Sequence, residues 1–166
     1  LELFASEPIS NVHFTQNKID NCDNFVEIGS RSAKAINNVY IHHNVIDTCI
    51  GALAAHVSDG TSTWAPPVQN FRFEHNTFKE VKKIWVSNKP SYPAVLVRNN
   101  VFYASSMEGA NFDGKYVHEY NVYYAPDLTD DSQLGRIELD ATERIVNPEL
   151  DATSYAPLPT SSLIDA

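Results

Sequence analysis

The feature that most constrains the fold of this chain is a short unit that occurs five times around an asparagine. The five segments are VHFTQNKI, VYIHHNVI, FRFEHNTF, VLVRNNVF and YVHEYNVYY. Their reference asparagines are Asn17, Asn44, Asn76, Asn100 and Asn121. Subtraction gives spacings of 27, 32, 24 and 21 residues. A period in this range indicates a stacked-repeat architecture, and the uneven spacing indicates loops of different length between similar units.

Apolar residues alternate with mostly polar ones before each reference asparagine. Five and three positions before Asn44 lie Val39 and Ile41, and the other units are similar, although the last has His118 at the second of these positions. Two positions after each asparagine lies a large apolar residue: Ile19, Ile46, Phe78, Phe102 and Tyr123. This alternation predicts strands with one buried face, and no 3.6-residue period supports a helix. The β-branched and aromatic residues at these positions also favour strands.

The reference asparagines are predicted to be corners. Asparagine tolerates the left-handed backbone conformation that turns a chain sharply within one residue. Stacked repeats would place the side-chain amides about 4.8 Å apart, which suits a ladder of hydrogen bonds. A second asparagine column opens the strand six positions earlier, at Asn11, Asn38 and Asn70.

A third strand is predicted in each of the first three repeats, at Asn24–Ser30, Ala52–Ser58 and Lys83–Asn88. Three strands per repeat with a corner asparagine resemble the right-handed parallel β-helix of the pectin-lyase-like superfamily, over roughly Ile9 to Tyr124. The segment IVNPELDATSYAPLPTSSLIDA resembles the closing segment of bacterial β-helix proteins, with Ser-Ser in place of Ser-Pro and no final glycine. The resemblance implies an all-β, right-handed, three-sided parallel β-helix of about five coils, with an asparagine ladder and a C-terminal capping tail.

The 166 residues suit a single domain with a sizeable core. We expect coils at about 9–124 and a tail at 125–166, forming the C-terminal part of a longer protein. No cap is recognisable in LELFASEP, so we expect an open N-terminal end that meets further coils or a partner.

The net charge of −9 argues against a nucleic-acid partner, which requires basic patches. No apolar run approaches 20 residues, so no membrane span is predicted. Cys22 and Cys49 each lie five residues after a reference asparagine, in the column that continues at Val81. Apolar packing is favoured there, a disulfide between stacked positions is geometrically feasible, and a zinc site is disfavoured.

Histidines and acidic residues raise the question of a metal. The column two before the asparagines contains Thr15, His42, Glu74, Arg98 and Glu119. Its alternating charges favour a solvated outward ladder over a metal site, and no metal ligands are predicted. The acidic stretch 125–133 lacks EF-hand spacing, so calcium is compatible but not indicated, and the cofactor requirement stays unknown.

The resemblance also implies a location for the substrate. In the superfamily the substrate lies in a groove beside the third strand. The catalytic candidates there are Arg31, His56 and Lys89, and the substrate-binding candidates are Glu27, Asp59, Trp64 and Trp85. Tryptophan faces stack on sugar rings, His56 or Lys89 suits a general base, and Arg31 suits a uronate carboxylate. A hydrolase would instead require paired carboxylates, for which Glu27 and Asp59 are the candidates.

The resemblance therefore predicts the β-helix domain of a secreted polysaccharide-active protein of the polysaccharide lyase or glycoside hydrolase type. Its partner would be a polysaccharide or oligosaccharide, and its location extracellular or periplasmic. The alternative is a non-catalytic β-helix, either carbohydrate-binding or structural, because polar residues on strand exteriors also occur without any site.

Overall fold

The computed structural model describes residues 1–4, 7–30, 34–57, 67–87, 94–103, 116–128 and 139–161. At Phe4, Ser30, 55–57 and 85–87 it describes the backbone only. The strands are β1 (Glu2–Phe4), β2 (Ile9–Thr15), β3 (Lys18–Ser30), β4 (Ile36–His42), β5 (Val45–Val57), β6 (Val68–Glu74), β7 (Thr77–Ser87), β8 (Val95–Arg98), β9 (Val101–Tyr103), β10 (Val117–Glu119), β11 (Val122–Tyr124) and β12 (Arg144–Ile145). Within these ranges no helix is long and apolar enough to cross a membrane.

The strands form two parallel sheets that follow the order of the repeats. One sheet has seven strands in the order β1-β3-β5-β7-β9-β11-β12, and the other has five in the order β10-β8-β6-β4-β2. Each repeat adds one strand to the five-stranded sheet and the next strand to the seven-stranded sheet. The predicted all-β fold with parallel strands is confirmed, and the arrangement is compatible with a parallel β-solenoid.

Equivalent positions of successive repeats lie beside one another. Val39 pairs with Val12 on one side and with Phe71 on the other. The core contains a stack of rings at the position two after the asparagines, with centroids 5.2 Å apart for Phe78 and Phe102 and 5.5 Å for Phe102 and Tyr123. Burying one such side chain contributes about 1.5–3 kcal/mol, so this column stabilises the stack.

In each of the first three repeats, the segment that follows the reference asparagine and the third predicted strand form one continuous bent strand. β3, β5 and β7 run through both predicted segments. Each bends at one residue with positive φ, namely Asn21 (60°), Thr48 (60°) and Glu80 (56°). Because a single left-handed residue redirects the chain, the parallel pairing resumes directly after it, as at Cys22 and Cys49.

The prediction that the reference asparagines are left-handed is wrong. The positive φ belongs to the residue before each of them: Gln16, His43, His75, Asn99 and Tyr120. The chain therefore turns one residue earlier than predicted, and the asparagine that follows has an ordinary φ.

The N-terminal stretch forms one more strand of the seven-stranded sheet, and the predicted open N-terminal end stays a prediction. Its residues Glu2–Phe4 form β1, which pairs in parallel with β3 so that Glu2 lies beside Glu27. The terminal amino group of Leu1 donates to the carbonyl of Phe25 at 2.8 Å. The short stretch therefore extends the seven-stranded sheet by one strand beside the last residues of β3.

The C-terminal segment adds a strand and then crosses the outside of the same sheet. β12 pairs with β11 at the end of the strand order. Further on, Leu150 and Pro157 form an antiparallel bridge, and the Tyr155 hydroxyl donates to Asp47 at 2.5 Å. The last contact joins residues 108 positions apart, so the segment is tied to the second repeat.

Candidate functional site

A row of hydrogen-bonded amides runs along the stack, formed by the reference asparagines and called here the amide row. The Nδ2 of each donates to the Oδ1 of the next, at 2.9, 2.9, 3.1 and 3.0 Å from Asn17 to Asn121. The same Oδ1 also accepts from the backbone nitrogen of the preceding asparagine, for example at 3.1 Å between Asn44 and Asn76. The last four are at most 1% exposed. Each asparagine, with its two flanking residues, defines one rung.

A buried glutamate ends the amide row. Because Val122 pairs with Arg144, Glu143 lies at the level that a sixth asparagine would occupy, and with its flanking residues Thr142 and Arg144 it forms the sixth rung. Its carboxylate accepts from Asn121, from the Tyr123 hydroxyl and from His118 Nδ1, each at 2.7 Å. An ionised carboxylate only accepts hydrogen bonds, so the row needs no further partner beyond it. The hydrogen bond to Glu143 raises the pKa of His118 above its usual value.

An open groove of about 730 Å³ follows the outside of the amide row over its last rungs, and we call it the corner groove. Four of its lining residues come directly before a reference asparagine or before Glu143, namely His75, Asn99, Tyr120 and Thr142. Residues that follow those asparagines or Glu143 also line it, namely Thr77, Val101, Val122 and Arg144. Ala141 and Pro157 complete it near the C-terminal segment. Equivalent positions of successive repeats therefore follow one another along the groove.

The corner groove combines an aromatic ring, amides and a cation. The Tyr120 side chain is 54% exposed, while its backbone nitrogen donates to Thr142 Oγ1 at 2.8 Å. Partial desolvation, followed by the neighbouring His43, lowers the pKa of His75, whose ring stacks on that of His43 at 5.0 Å. His75 is therefore neutral near pH 7, and Arg144 supplies the positive charge at the other end.

The polar ladder beside the groove pairs opposite charges. Arg98 Nε lies 3.2 Å from Glu74, and Arg98 Nη1 lies 3.9 Å from Glu119. His42 Nδ1 lies 3.3 Å from Thr15 Oγ1. Over the part of the chain that the structure describes, no group of three or more His, Cys, Asp or Glu side chains is placed to hold a metal ion.

A second cavity, of about 380 Å³, lies between the C-terminal segment and the seven-stranded sheet. Lys79, Tyr103 and Tyr155 are among its lining residues. Lys79 Nζ donates to the Tyr155 hydroxyl at 3.2 Å and lies 3.8 Å from Asp47, and the first contact raises the pKa of Lys79. These groups already hold the segment against the sheet.

The structure describes three of the seven predicted site residues, and two of these by backbone only. Glu27 is half-buried, accepts from Asn24 Nδ2 at 2.6 Å and pairs with Ala54. The backbone of His56 pairs with Gly29, two residues from Glu27, so these positions lie on neighbouring strands. Trp85 pairs instead with Leu53, a core position. Arg31, Asp59, Trp64 and Lys89 lie outside the described residues.

Sequence reasoning missed the corner groove although part of its pattern was visible. The residues before the asparagines form a regular column in the sequence, and that column lines one part of the groove. Arg144 was hidden because Glu143 replaces the asparagine of the sixth rung, so the repeat was not recognised there.

Comparison with known proteins identifies no relative. No protein-family model matches the chain, and no curated protein or solved structure gives a significant match.

Proposed function

We propose that this chain is a right-handed, three-sided parallel β-helix of the pectin-lyase-like type, and that it binds polysaccharide along the corner groove. Three left-handed bends in each of the first three repeats support a three-sided coil, for example Asn38, His43 and Thr48. The in-register amide hydrogen bonds support an asparagine ladder through about five coils. Glu143 and β12 support a capping role for the tail.

The carrying observation is the exposed ring of Tyr120 between Asn99 and Arg144 in a linear groove. A tyrosine face stacks on a sugar ring, and amides hydrogen-bond to hydroxyl groups. Arg144 suits a uronate carboxylate because its guanidinium can bind both carboxylate oxygens. Parallel strands repeat every 4.7–4.9 Å, so successive rungs would contact successive sugars of a polymer, each through its own side chain.

Binding explains the corner groove better than catalysis does. His75 and Arg144 lie three rungs apart, roughly 14 Å, so a neutral base and the cation do not act on one sugar. The described lining contains no carboxylate, whereas glycoside hydrolysis generally uses a pair. The groove therefore supports a carbohydrate-binding role for this part of the surface.

The second candidate is a polysaccharide lyase or glycoside hydrolase at the face formed by the third predicted strands. The pairing of Glu27 with Ala54 and of Gly29 with His56 favours it, because an acid and a potential base then lie on adjacent strands. In that proposal Arg31 and Lys89 are further catalytic candidates, and Asp59 and Trp64 are substrate-binding candidates. Secretion, with an extracellular or periplasmic location, belongs to both candidates.

Binding isotherms with polygalacturonate and with a neutral glucan would test the proposal. We expect polygalacturonate to bind, and Tyr120→Ala and Arg144→Gln each to weaken binding by about 10-fold, the equivalent of about 1.4 kcal/mol. Tyr103→Ala is the matched control, because it removes the same ring from the second cavity. Equal losses for Tyr120→Ala and Tyr103→Ala, or no binding to either polymer, would contradict the proposed site.

An activity assay on the same samples tests the second candidate. A lyase produces unsaturated sugars that absorb in the ultraviolet, and a hydrolase produces reducing ends without that absorbance. Either activity should be lost in His56→Ala or Glu27→Gln while binding in the corner groove persists. Activity that is lost in Tyr120→Ala but kept in His56→Ala would place the chemistry at the corner groove instead.

A further inference from the structure

Two cysteines lie side by side on neighbouring strands of the first and second repeats. Cys22 of β3 and Cys49 of β5 are direct partners in the parallel register, and their Sγ atoms are 3.0 Å apart. Neighbouring strands place such Cα atoms 4.7–4.9 Å apart, inside the 4.4–6.8 Å range that a disulfide accepts. Both cysteines are free thiols in the structure, and their register and short sulfur–sulfur distance bring them within reach of a bond.

The two thiols differ in exposure and in chemistry. Cys22 is partly exposed, whereas Cys49 is 2% exposed and donates to the carbonyl of Gly51 at 2.8 Å. The sulfur–sulfur hydrogen bond lowers the pKa of Cys22, while that bond and burial raise the pKa of Cys49. A thiolate is the attacking species in disulfide exchange, so Cys22 is the accessible nucleophile of the pair.

We propose that Cys22 and Cys49 are a modification site for low-molecular-weight disulfides, which convert the pair to an intramolecular disulfide. The Cys22 thiolate attacks one sulfur of the small disulfide, whose bond breaks and releases one thiolate. The Cys49 thiol then loses its proton to solvent, and its sulfur attacks the Cys22 sulfur of the mixed disulfide, releasing the second thiolate. The pair is oxidised by two electrons, and the small disulfide is reduced to two thiols after protonation.

The bond would join the first two repeats and leave the third unlinked. The next residue in the column is Val81, which pairs with Cys49 and cannot take part. The crosslink spans 27 residues of sequence by subtraction, long enough for a substantial restriction of the unfolded chain. For a chain of this size the expected rise in Tm is roughly 5–15 °C.

The test is equilibration of the protein in buffers of reduced and oxidised glutathione, followed by quenching with N-ethylmaleimide and intact mass spectrometry. We expect two labels in the reducing buffer, none in the oxidising buffer, and a higher Tm in the second. Cys49→Ser should accumulate a glutathione adduct at Cys22, whereas Cys22→Ser should remain unmodified in its folded state. Cys49→Val, which copies Val81, is the variant to use where the serine at the buried position impairs folding.

Three results would overturn the proposal. One is the retention of two labels in the most oxidising buffer. Another is a disulfide-linked dimer in place of the monomeric disulfide on a non-reducing gel. The third is equal glutathione adduct formation in Cys22→Ser and Cys49→Ser, which would contradict the separate roles of the two thiols.

Discussion

Asparagine has two separate roles in each of the first three repeats, six positions apart. Asn38 has a φ of 52°, and its side chain donates to Asn11, forming an exposed row with Asn70. Asn44 has an ordinary φ and is buried in the amide row. The tolerance of asparagine for left-handed backbone therefore explains the first position, whereas hydrogen bonding by the side chain explains the second.

Replacing Asn44 by leucine should destabilise the protein by about 2–3 kcal/mol. The change removes the bonds from Asn44 Nδ2 to Asn76 Oδ1 at 2.9 Å and to the Phe14 carbonyl at 3.0 Å. It also removes the Asn44 Oδ1 acceptor from the Asn17 side-chain amide and from the Asn17 backbone nitrogen, so that the side-chain amide keeps only the Thr15 carbonyl. Urea unfolding of both proteins measures the difference in the free energy of unfolding.

Asn17→Leu is the matched control for this substitution. Asn17 is half-buried and donates to a single asparagine, so its loss should cost less than half as much. Equal costs at the two positions would show that the amide row does not act as a continuous buried network.

Gln16 tests where the chain turns. Its φ of 58° is unfavourable for residues with a Cβ and unrestricted for glycine. We expect Gln16→Gly to raise the free energy of unfolding by about 0.5–1 kcal/mol, and Gln16→Val to lower it by about 1–2 kcal/mol. The opposite order in urea unfolding would contradict the assignment of the corner to the residue before the asparagine.

At the scale of the elements, the C-terminal segment completes the last rung with a charged group. Glu143 is buried among His118, Tyr123 and Asn121, and it replaces the asparagine of earlier rungs. A buried carboxylate is stable only when it is well hydrogen-bonded. His118, Tyr123 and Asn121 therefore together stabilise the junction between β11 and β12 through Glu143.

The contribution of His118 should depend on pH. Glu143 raises the pKa of His118 in the folded protein. The stability that the His118–Glu143 contact adds is therefore fully present below the unfolded-state pKa of about 6.5, and it is lost as the pH rises through the folded-state pKa of His118. His118→Gln should cost on the order of 1–3 kcal/mol near pH 6 and less near pH 9. Urea unfolding at both pH values measures this, and the pH difference should vanish in the Glu143→Gln background.

Two sequence patterns predicted the strands and their pairing. Two-residue alternation located the strands because each buries one face, and the spacing of equivalent residues located the parallel pairing. The bends at Thr48 and Glu80 were not predicted, because neither residue type signals a left-handed conformation. β1 was missed because a three-residue strand has too little alternation to recognise, and its pairing with β3 is a tertiary contact.

The site was less predictable than the strands for a physical reason. Four of the seven third-strand candidates, Arg31, Asp59, Trp64 and Lys89, come from sequence segments whose lengths differ between repeats, and these four lie outside the described residues. The corner groove depends on the junction of Tyr120 with Thr142 and Arg144, which no periodic signal connects because Glu143 interrupts the asparagine column. The sequence shows which residues form the column before the asparagines, but it does not show that the surface beside them is concave.

At the scale of the whole molecule, stacking turns a sequence repeat into a linear surface. Four rungs line the corner groove, contributing His75, Asn99, Tyr120 and Thr142 at one equivalent position. The protein carries a net charge of −9, so an acidic polymer would be held by the local cation Arg144 and not by the overall field.

The most direct test of a linear polysaccharide groove is calorimetric titration with oligogalacturonides of increasing length. Because a longer oligomer reaches more rungs of the groove, affinity should rise with length up to roughly four sugars, one for each rung, and then become constant. Tyr120→Ala should lower the affinity for the longer oligomers, and Tyr103→Ala should leave the profile unchanged. An affinity that does not change with length, or no heat of binding at any length, would contradict the account.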